Sequence, residues 1–357
     1  MPSRIPIANI YYLLCYAWNR FAEGRAIDVG RVEAPDIKHL FAVVLRNGLT
    51  TLLRRGLDRR FLEKWEDVAG VRGRIGFRET LSRLLHTRAQ IHCQIDELNH
   101  DVLHNQILRS TIRVLLRDQT IEKHLDHQLR VLDRKLTHIT PIRITADLFS
   151  RVQLNRNNAF YDFLLRICEL VHHCLLPHEG GTGGKFSDVL EDETRMSRVF
   201  EDFVRNFYRL EQNKFGVASE RILWKAGPMD SLHESYLPTM QTDITLRSAT
   251  RTIVIDTKYY KDALVSHHSR TRLHSQNLYQ LYSYMKNMEG RPGPDGYAEG
   301  ILLYPTVETS LDLTYCLDGH IVRIATVDLN APWKDIDARL RALIVETTPG
   351  HRQPASA

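Results

Sequence analysis

The stretch that most constrains the fold runs from Met240 to Lys261, MQTDITLRSATRTIVIDTKYYK. Ile244 and Leu246 set alternate apolar positions in one short segment, and Ile253-Val254-Ile255 form a β-branched run in the next. Ser248-Ala249-Thr250 between them is turn-like, so the segment is expected to form a β-hairpin. With the turn centred between Ala249 and Thr250, Asp243 lies opposite Asp256. Lys258, two positions further on, shares that face. A slip of one residue would put the two aspartates on opposite faces. Opposed carboxylates repel unless a cation sits between them, and a hard divalent ion such as Mg²⁺ favours carboxylate oxygens. A solvated charged face is the competing reading. Against it stand Val254-Ile255 and Tyr259-Tyr260, which suit a strand buried on both sides, where unpaired charge is costly.

At 357 residues the chain is long enough for two domains or three, and 43% hydrophobic with 25% charged residues is ordinary for a globular protein. A net charge of +5 permits nucleic-acid binding without requiring it. Five scattered cysteines with no CxxC pair fit reduced thiols and give no zinc signature. No apolar run is long enough to span a membrane, and Arg4, Asn9 and the tyrosines interrupt any signal-peptide pattern. A cytoplasmic protein is expected.

Along the chain, Ile5-Pro6-Ile7 looks strand-like and passes into a core helix carrying Ile10, Leu13, Leu14, Ala17, Trp18 and Phe21 at helical spacing. A second amphipathic helix is expected from about Asp36 to Arg54, with Gly56 as its C-cap. Residues 57–97 suggest short strands and turns. Among them GVRGRIGF (70–77) suggests turns that present cations to phosphate or acidic groups, or a solvated loop. Residues 95–105 lead with acidic side chains into a helix through Ile107, Leu108 and Ile112. A further helix covers about Ala159 to Leu175. Its adjacent His172, His173 and Cys174 cannot face one point and carry no metal site. The glycine-rich run 177–186 resembles a P-loop only superficially. Glu179 occupies the first glycine position and Phe186 the Ser/Thr position, so a linker is expected and no NTPase site.

From Glu193 a strongly amphipathic helix begins, with Glu201 at the edge of its apolar face. A helix from about His274 to Met288 sets Gln276, Gln280 and Tyr284 four apart on one side. Strands at 300–305, 315–317 and 320–329 and a helix over 333–345 complete a sheet with helices packed on it. Phosphodiester hydrolysis needs a metal ion and a cation to hold developing charge. In that chemistry Asp243 and Asp256 hold the metal, Lys258 orients water or stabilises the phosphorane, Glu201 is an outer ligand, and Gln280 and Tyr284 position the site or the DNA backbone.

This set resembles the PD-(D/E)xK nuclease pattern, with Thr242 in place of the proline and Asp256-Thr257-Lys258 as the second half. A wider resemblance is to the McrC family. It is carried in order by IPIANIYYLLCYAWN, GVRGRIGF, DELNHDVLHNQILRST, MQTDIT, IVIDTKYYK, HSQNLYQLYSY and GILLYP, from Ile5 to about Leu329. The resemblance implies an α/β (α+β) protein in three parts. These are an N-terminal mixed α/β partner-docking domain (1–145), a helical connector with the glycine-rich linker (146–190), and a PD-(D/E)xK endonuclease domain with a central mixed sheet flanked by helices (191–357). It also implies an Mg²⁺-dependent endodeoxyribonuclease subunit of a modified-cytosine-dependent restriction system. The subunit would act on DNA, methylated DNA being the expected substrate, with a McrB-like AAA+ GTPase whose activity it stimulates. GVRGRIGF and residues 95–105 are the docking candidates. Two alternatives remain open: a non-catalytic GTPase-activating subunit, and a PD-(D/E)xK nuclease of another defence or repair system.

Overall fold

A computed structural model describes residues 5–25, 37–155, 158–175, 193–225, 236–259, 264–267, 270–306 and 310–345. The glycine-rich stretch 177–186, together with Tyr260 and Lys261, lies outside the described residues. Two compact units emerge: residues 1–24 with 188–357, and residues 25–187. The first 24 residues therefore group with the C-terminal part, and helices placed by the sequence in a connector group with the middle of the chain. The expected segments 1–145 and 146–190 do not coincide with these units.

In chain order the elements begin with α1 (Ile7–Ala17), α2 (Phe21–Arg25) and α3 (Ile37–Arg55). Then come β1 (Arg60–Val68), β2 (Arg74–Ile75), α4 (Phe77–Ser82), β3 (Ile91–Asn99), α5 (Leu103–Leu115), α6 (Lys123–Lys135), α7 (Ala146–Arg151) and α8 (Ala159–Leu175). Pro6 immediately precedes α1, so the strand expected at Ile5-Pro6-Ile7 is instead a helix entry, where a fixed φ and a missing N–H do no harm. Gly56 adopts φ 88° after α3, the left-handed stop expected of a C-cap glycine. The acidic run Asp96-Glu97 lies inside β3 rather than at the start of α5, because nine residues of β1 pair with this segment from Arg60↔Asn99 to Val68↔Ile91. In residues 25–187, β1, β3 and β2 form a three-stranded sheet in that order, and α3, α5, α6 and α8 pack together around Leu40, Phe41, Leu45, Ile107, Leu129 and Leu164.

The other unit contains α9 (Glu193–Glu211), β4 (Gly216–Ala218), β5 (Arg221–Ile222), β6 (Met240–Gln241), β7 (Ile244–Arg247), β8 (Thr252–Thr257), β9 (Leu264–His267) and β10 (Arg270–Leu273). It continues with α10 (Ser275–Met288), β11 (Glu299–Pro305), β12 (Asp312–Leu317), β13 (His320–Val327) and α11 (Trp333–Leu343). Its main sheet is six-stranded and mixed, in the order β12-β13-β11-β8-β7-β4, with β8, β11 and β13 parallel. Parallel neighbours need a crossover, and α10 is the one between β8 and β11.

The sheet separates two apolar layers. Ile253, Ile255, Ile244, Leu246, Ile301 and Leu303 face Phe200, Phe203 and Phe207 of α9, Leu13 and Tyr16 of α1, and Leu340 of α11. Val254, Leu302, Tyr304 and Ile324 face Leu281, Met285 and Met288 of α10. Every residue of β8 is buried. Gly300 permits the close approach of α10, since a Cβ there would sit 2.8 Å from Met285 Sδ and 2.9 Å from Leu281 Cδ2. Polar pins hold α1 in place: Asn9 Nδ2 donates to the carbonyls of Leu329 (2.7 Å) and Ala331 (2.9 Å), and Asn206 Nδ2 donates to the carbonyl of Tyr16 at 2.9 Å.

Candidate active site

The strand pair at the centre of the sheet adopts the register expected from the sequence, running from Arg247↔Thr252 to Ile244↔Ile255. The next position on each strand places Asp243 opposite Asp256. Four residues close the turn: Ser248 N donates to the carbonyl of Arg251 (2.8 Å), and Ser248 Oγ accepts Arg251 N (2.9 Å). Asp256 alternates with Ile255 and so lies on the face covered by α10, together with Val254.

The two aspartates differ sharply in environment. Asp243 is half-buried, and its Oδ2 accepts both Thr257 N (2.8 Å) and Thr257 Oγ1 (3.0 Å). Asp256 is fully buried, and neither of its oxygens accepts an aligned hydrogen bond. Lys258 Nζ stands 2.9 Å from Asp256 Oδ2 as an ion pair. Burial first, and then the negative Asp243, push the Asp256 carboxyl up to about 7; Lys258 opposes both.

Lys258 is itself placed by α10. Its Nζ donates to Gln280 Oε1 (3.1 Å), and Gln280 Nε2 donates to the Tyr284 hydroxyl at 2.6 Å. This fixes the orientation of the Gln280 amide and ties the (i, i+4) pair on α10 to the lysine. Burial raises the Tyr284 phenol, so the hydroxyl stays protonated. Gln276, one turn earlier, is exposed. From the other side of the sheet Glu201 reaches the same neighbourhood. Its carboxyl is raised by burial and then by Asp243. Asp243, Asp256, Lys258, Glu201, Gln280 and Tyr284 are thus gathered from four separate segments.

Arg205 is a supporting residue absent from the sequence expectations, and Thr242 and Thr257, named there only as motif positions, gain a role. Arg205 Nη1 donates to Glu201 Oε1 (2.9 Å) and to the Asp243 carbonyl (3.3 Å), while its other nitrogen pairs with Asp202. Its spacing four residues after Glu201 was the available signal. Thr257, the middle residue of the Asp-Thr-Lys run, supplies the two donors to Asp243. Thr242 N donates to the Glu220 carbonyl (3.0 Å), and Thr242 Oγ1 accepts Glu220 N (2.9 Å). A proline at that position has no N–H to give, so threonine anchors the approach to Asp243 by a different bond.

No cluster of three or more His, Cys, Asp or Glu side chains suited to a metal occurs among the described residues. A divalent ion here would take two protein carboxylates and complete its shell with water and substrate oxygens, as Mg²⁺ commonly does. The donor set fits such an ion: Asp256 offers a buried Oδ1 that accepts no hydrogen bond, beside an Oδ2 that faces the Lys258 ammonium, and a bound cation compensates a carboxylate that burial otherwise penalises.

The sheet, the crossover helix and the Asp…Asp-Thr-Lys face define an α/β protein with a candidate metal-assisted hydrolytic site. The chain belongs to the family described as McrBC 5-methylcytosine restriction system component, which it matches over residues 8–305. It is 30% identical over 336 residues to the Escherichia coli (strain K12) protein described as type IV methyl-directed restriction enzyme EcoKMcrBC, covering 94% of this chain and 96% of that one. Its fold is similar to a chain in the refined half-complex of Thermococcus gammatolerans McrB AAA+ hexamers with bound McrC. The TM-score is 0.60 at 20% identity, over 95% of this chain and 76% of the other.

Proposed function

We propose that this chain is the DNA-cleaving subunit of a modified-cytosine-dependent restriction system, hydrolysing phosphodiester bonds in the cytoplasm with a divalent ion, Mg²⁺ being the natural choice for the oxygen donors present. The observation that carries this reading is the buried Asp256, with Asp243 one position beyond the Ile244↔Ile255 pair and Lys258 Nζ 2.9 Å away. When bound, the ion polarises the phosphate and makes water a better nucleophile. The chain's own residues do the rest. Asp243 and Asp256 would hold the ion. Lys258, held beside Asp256 by Gln280 and Tyr284, would stabilise the charge that develops on the phosphate. Glu201, held by Arg205, orders the outer side of the site, and Gln280 and Tyr284 also border the path of the DNA backbone.

The partner we propose is a McrB-like AAA+ GTPase, which recognises the modified, methylated DNA and whose hydrolysis this chain stimulates. Supporting this are the relatives named above and the surface of the β1–β3 ribbon. GVRGRIGF and residues 95–105, the two docking candidates, lie on adjoining strands, since Arg74 pairs with Gln94 and Ile75 with Cys93. Phe61, Trp65 and Leu98 are exposed there.

Asp256→Ala should abolish DNA cleavage and leave GTPase stimulation intact, measured on the reconstituted complex. Persistent cleavage would overturn the active-site assignment and favour the rival, a non-catalytic activator. The isolated chain should cleave DNA poorly, and efficient cleavage without partner or nucleotide would instead favour a self-sufficient nuclease.

A further inference from the structure

A cavity of about 560 Å³ opens in residues 25–187 between α5, the segment 141–144 and α8. Arg113, Arg117 and Arg143 line it, together with Ser110 and His172. The segment that brings Arg143 is pinned across α5 by Ile142 N, which donates to Ser110 Oγ at 2.7 Å. Among the described residues, none of the three guanidinium groups has a carboxylate partner. The nearby acids are engaged elsewhere: Asp118 with Lys38 (2.7 Å), Asp147 with Arg151 (3.9 Å), and Glu169 near His173 (4.0 Å).

Arg113 lies in the last turn of α5, where the helix dipole favours a cation. That accounts for one arginine. It does not account for a second one turn later, a third brought in from another segment, and an imidazole from α8, all at one concavity. Three guanidinium groups at one concavity set up a positive potential that attracts an anion. Guanidinium forks match phosphate oxygens in pairs. The volume lies within the range of about 300–1,000 Å³ typical of small-molecule sites, and suits a mononucleotide rather than a duplex.

We infer that this cavity binds a small phosphate-bearing anion of nucleotide size, clamped by Arg113, Arg117 and Arg143. The site lies within residues 25–187 and shares no residue with the nuclease site, so its test is separate from that of the nuclease reading. GTP, ATP and inorganic pyrophosphate are titrated into the full chain by calorimetry at physiological salt, with a short DNA duplex as competitor. Expected is saturable binding of at least one of the three, weakened about ten-fold or more in Arg113→Gln and in Arg143→Gln. Arg143→Lys should recover part of the loss, and Asp256→Asn should bind as wild type does. Arg143 lies outside every helix, so its variant remains informative if Arg113→Gln misfolds. Absence of binding by all three probes, unchanged affinity in both glutamine variants, or displacement by duplex at lower concentration than by nucleotide would each overturn the inference.

Discussion

The chain contains two antiparallel strand pairs that use similar residues to opposite ends. In β7–β8 the β-branched and apolar side chains are buried on both faces, and the charges that share the strand are trapped with them. In β1–β3 nine pairs are made, yet aromatic and aliphatic groups remain in solvent: Phe61 is 70% exposed, and Leu98 opposite it 44%. Trp65, four residues after Phe61, stacks on His92 with ring centroids 5.1 Å apart and is still 46% exposed. Burial of a carboxylate in the first pair stores electrostatic cost that a metal ion can relieve. Exposure of rigid aromatic surface in the second stores apolar area that a partner can cover. One pair is therefore suited to chemistry and the other to recognition.

That contrast is broken most directly by separating the two activities. Lys258→Ala should lower partner-dependent DNA cleavage by about 10²–10³-fold, the usual cost of removing a group that stabilises developing charge. GTPase stimulation should be unchanged. A parallel fall in stimulation would mean that the two strand pairs are not functionally distinct. The converse variant, Phe61→Ser, should weaken partner binding by about 2 kcal/mol, typical of an aromatic hot spot, while thermal stability stays within a degree or two because Phe61 is 70% exposed and little burial is lost. Retention of full affinity by pull-down titration would remove the ribbon from the interface.

The β7–β8 pair was legible because its determinants are local. A short turn, a β-branched run and two aspartates equidistant from the turn fix one register, and Ile244↔Ile255 is that register. The helical stripes of α1, α3, α9 and α10 were legible for the same reason, each repeating at helical spacing. What stayed hidden depends on distant partners. Nothing near Ile5-Pro6-Ile7 distinguishes a strand from a helix entry, and Asn9 gains its carbonyl acceptors some 320 residues away. Asp96-Glu97 looks like a helix start until β1 is available to pair with it. The short helix α4 has too few residues to show a period, whereas α6 carries Leu125, Leu129 and Leu132 at helical spacing, a stripe that was legible and is absent from the expected elements. At the site, the aspartates and lysine were visible as a motif, whereas the unequal burial of Asp243 and Asp256 is a property of the sheet and of α10 above it.

The ribbon also depends on a backbone conformation that the GVRGRIGF glycines make possible. Gly73 has φ 70°, and a Cβ there would collide with the carbonyl oxygen of Gln94 on β3. Gly73→Ala should therefore destabilise residues 25–187 by about 1–3 kcal/mol. Gly70→Ala, at φ 108° but with open space around it, should cost less. Equal melting temperatures for the two variants would show that the close approach to β3 does not constrain the ribbon.

A further comparison tests the buried carboxylate itself. Asp256 ordinarily titrates near 3.8 and is raised to about 7 by burial and Asp243. Between these values the folded protein holds a proton that the unfolded chain has released, so stability falls as pH rises through this window. Below the lower value both states are protonated and the group contributes no penalty; above the upper one the penalty is complete. In metal-free protein with a chelator, Asp256→Asn removes this dependence. The melting temperature of wild type relative to Asp256→Asn should therefore drop from pH 4 to pH 8, by about 2–4 °C for each kcal/mol of penalty if residues 1–24 with 188–357 melt as one unit. Adding Mg²⁺ at pH 8 should restore part of the wild-type deficit and leave the variant unchanged, because only the ionised carboxylate attracts the ion. Parallel curves for wild type and variant would show that Asp256 is already ionised without cost, and the distinction between a strained strand pair and an exposed one would lose its electrostatic half.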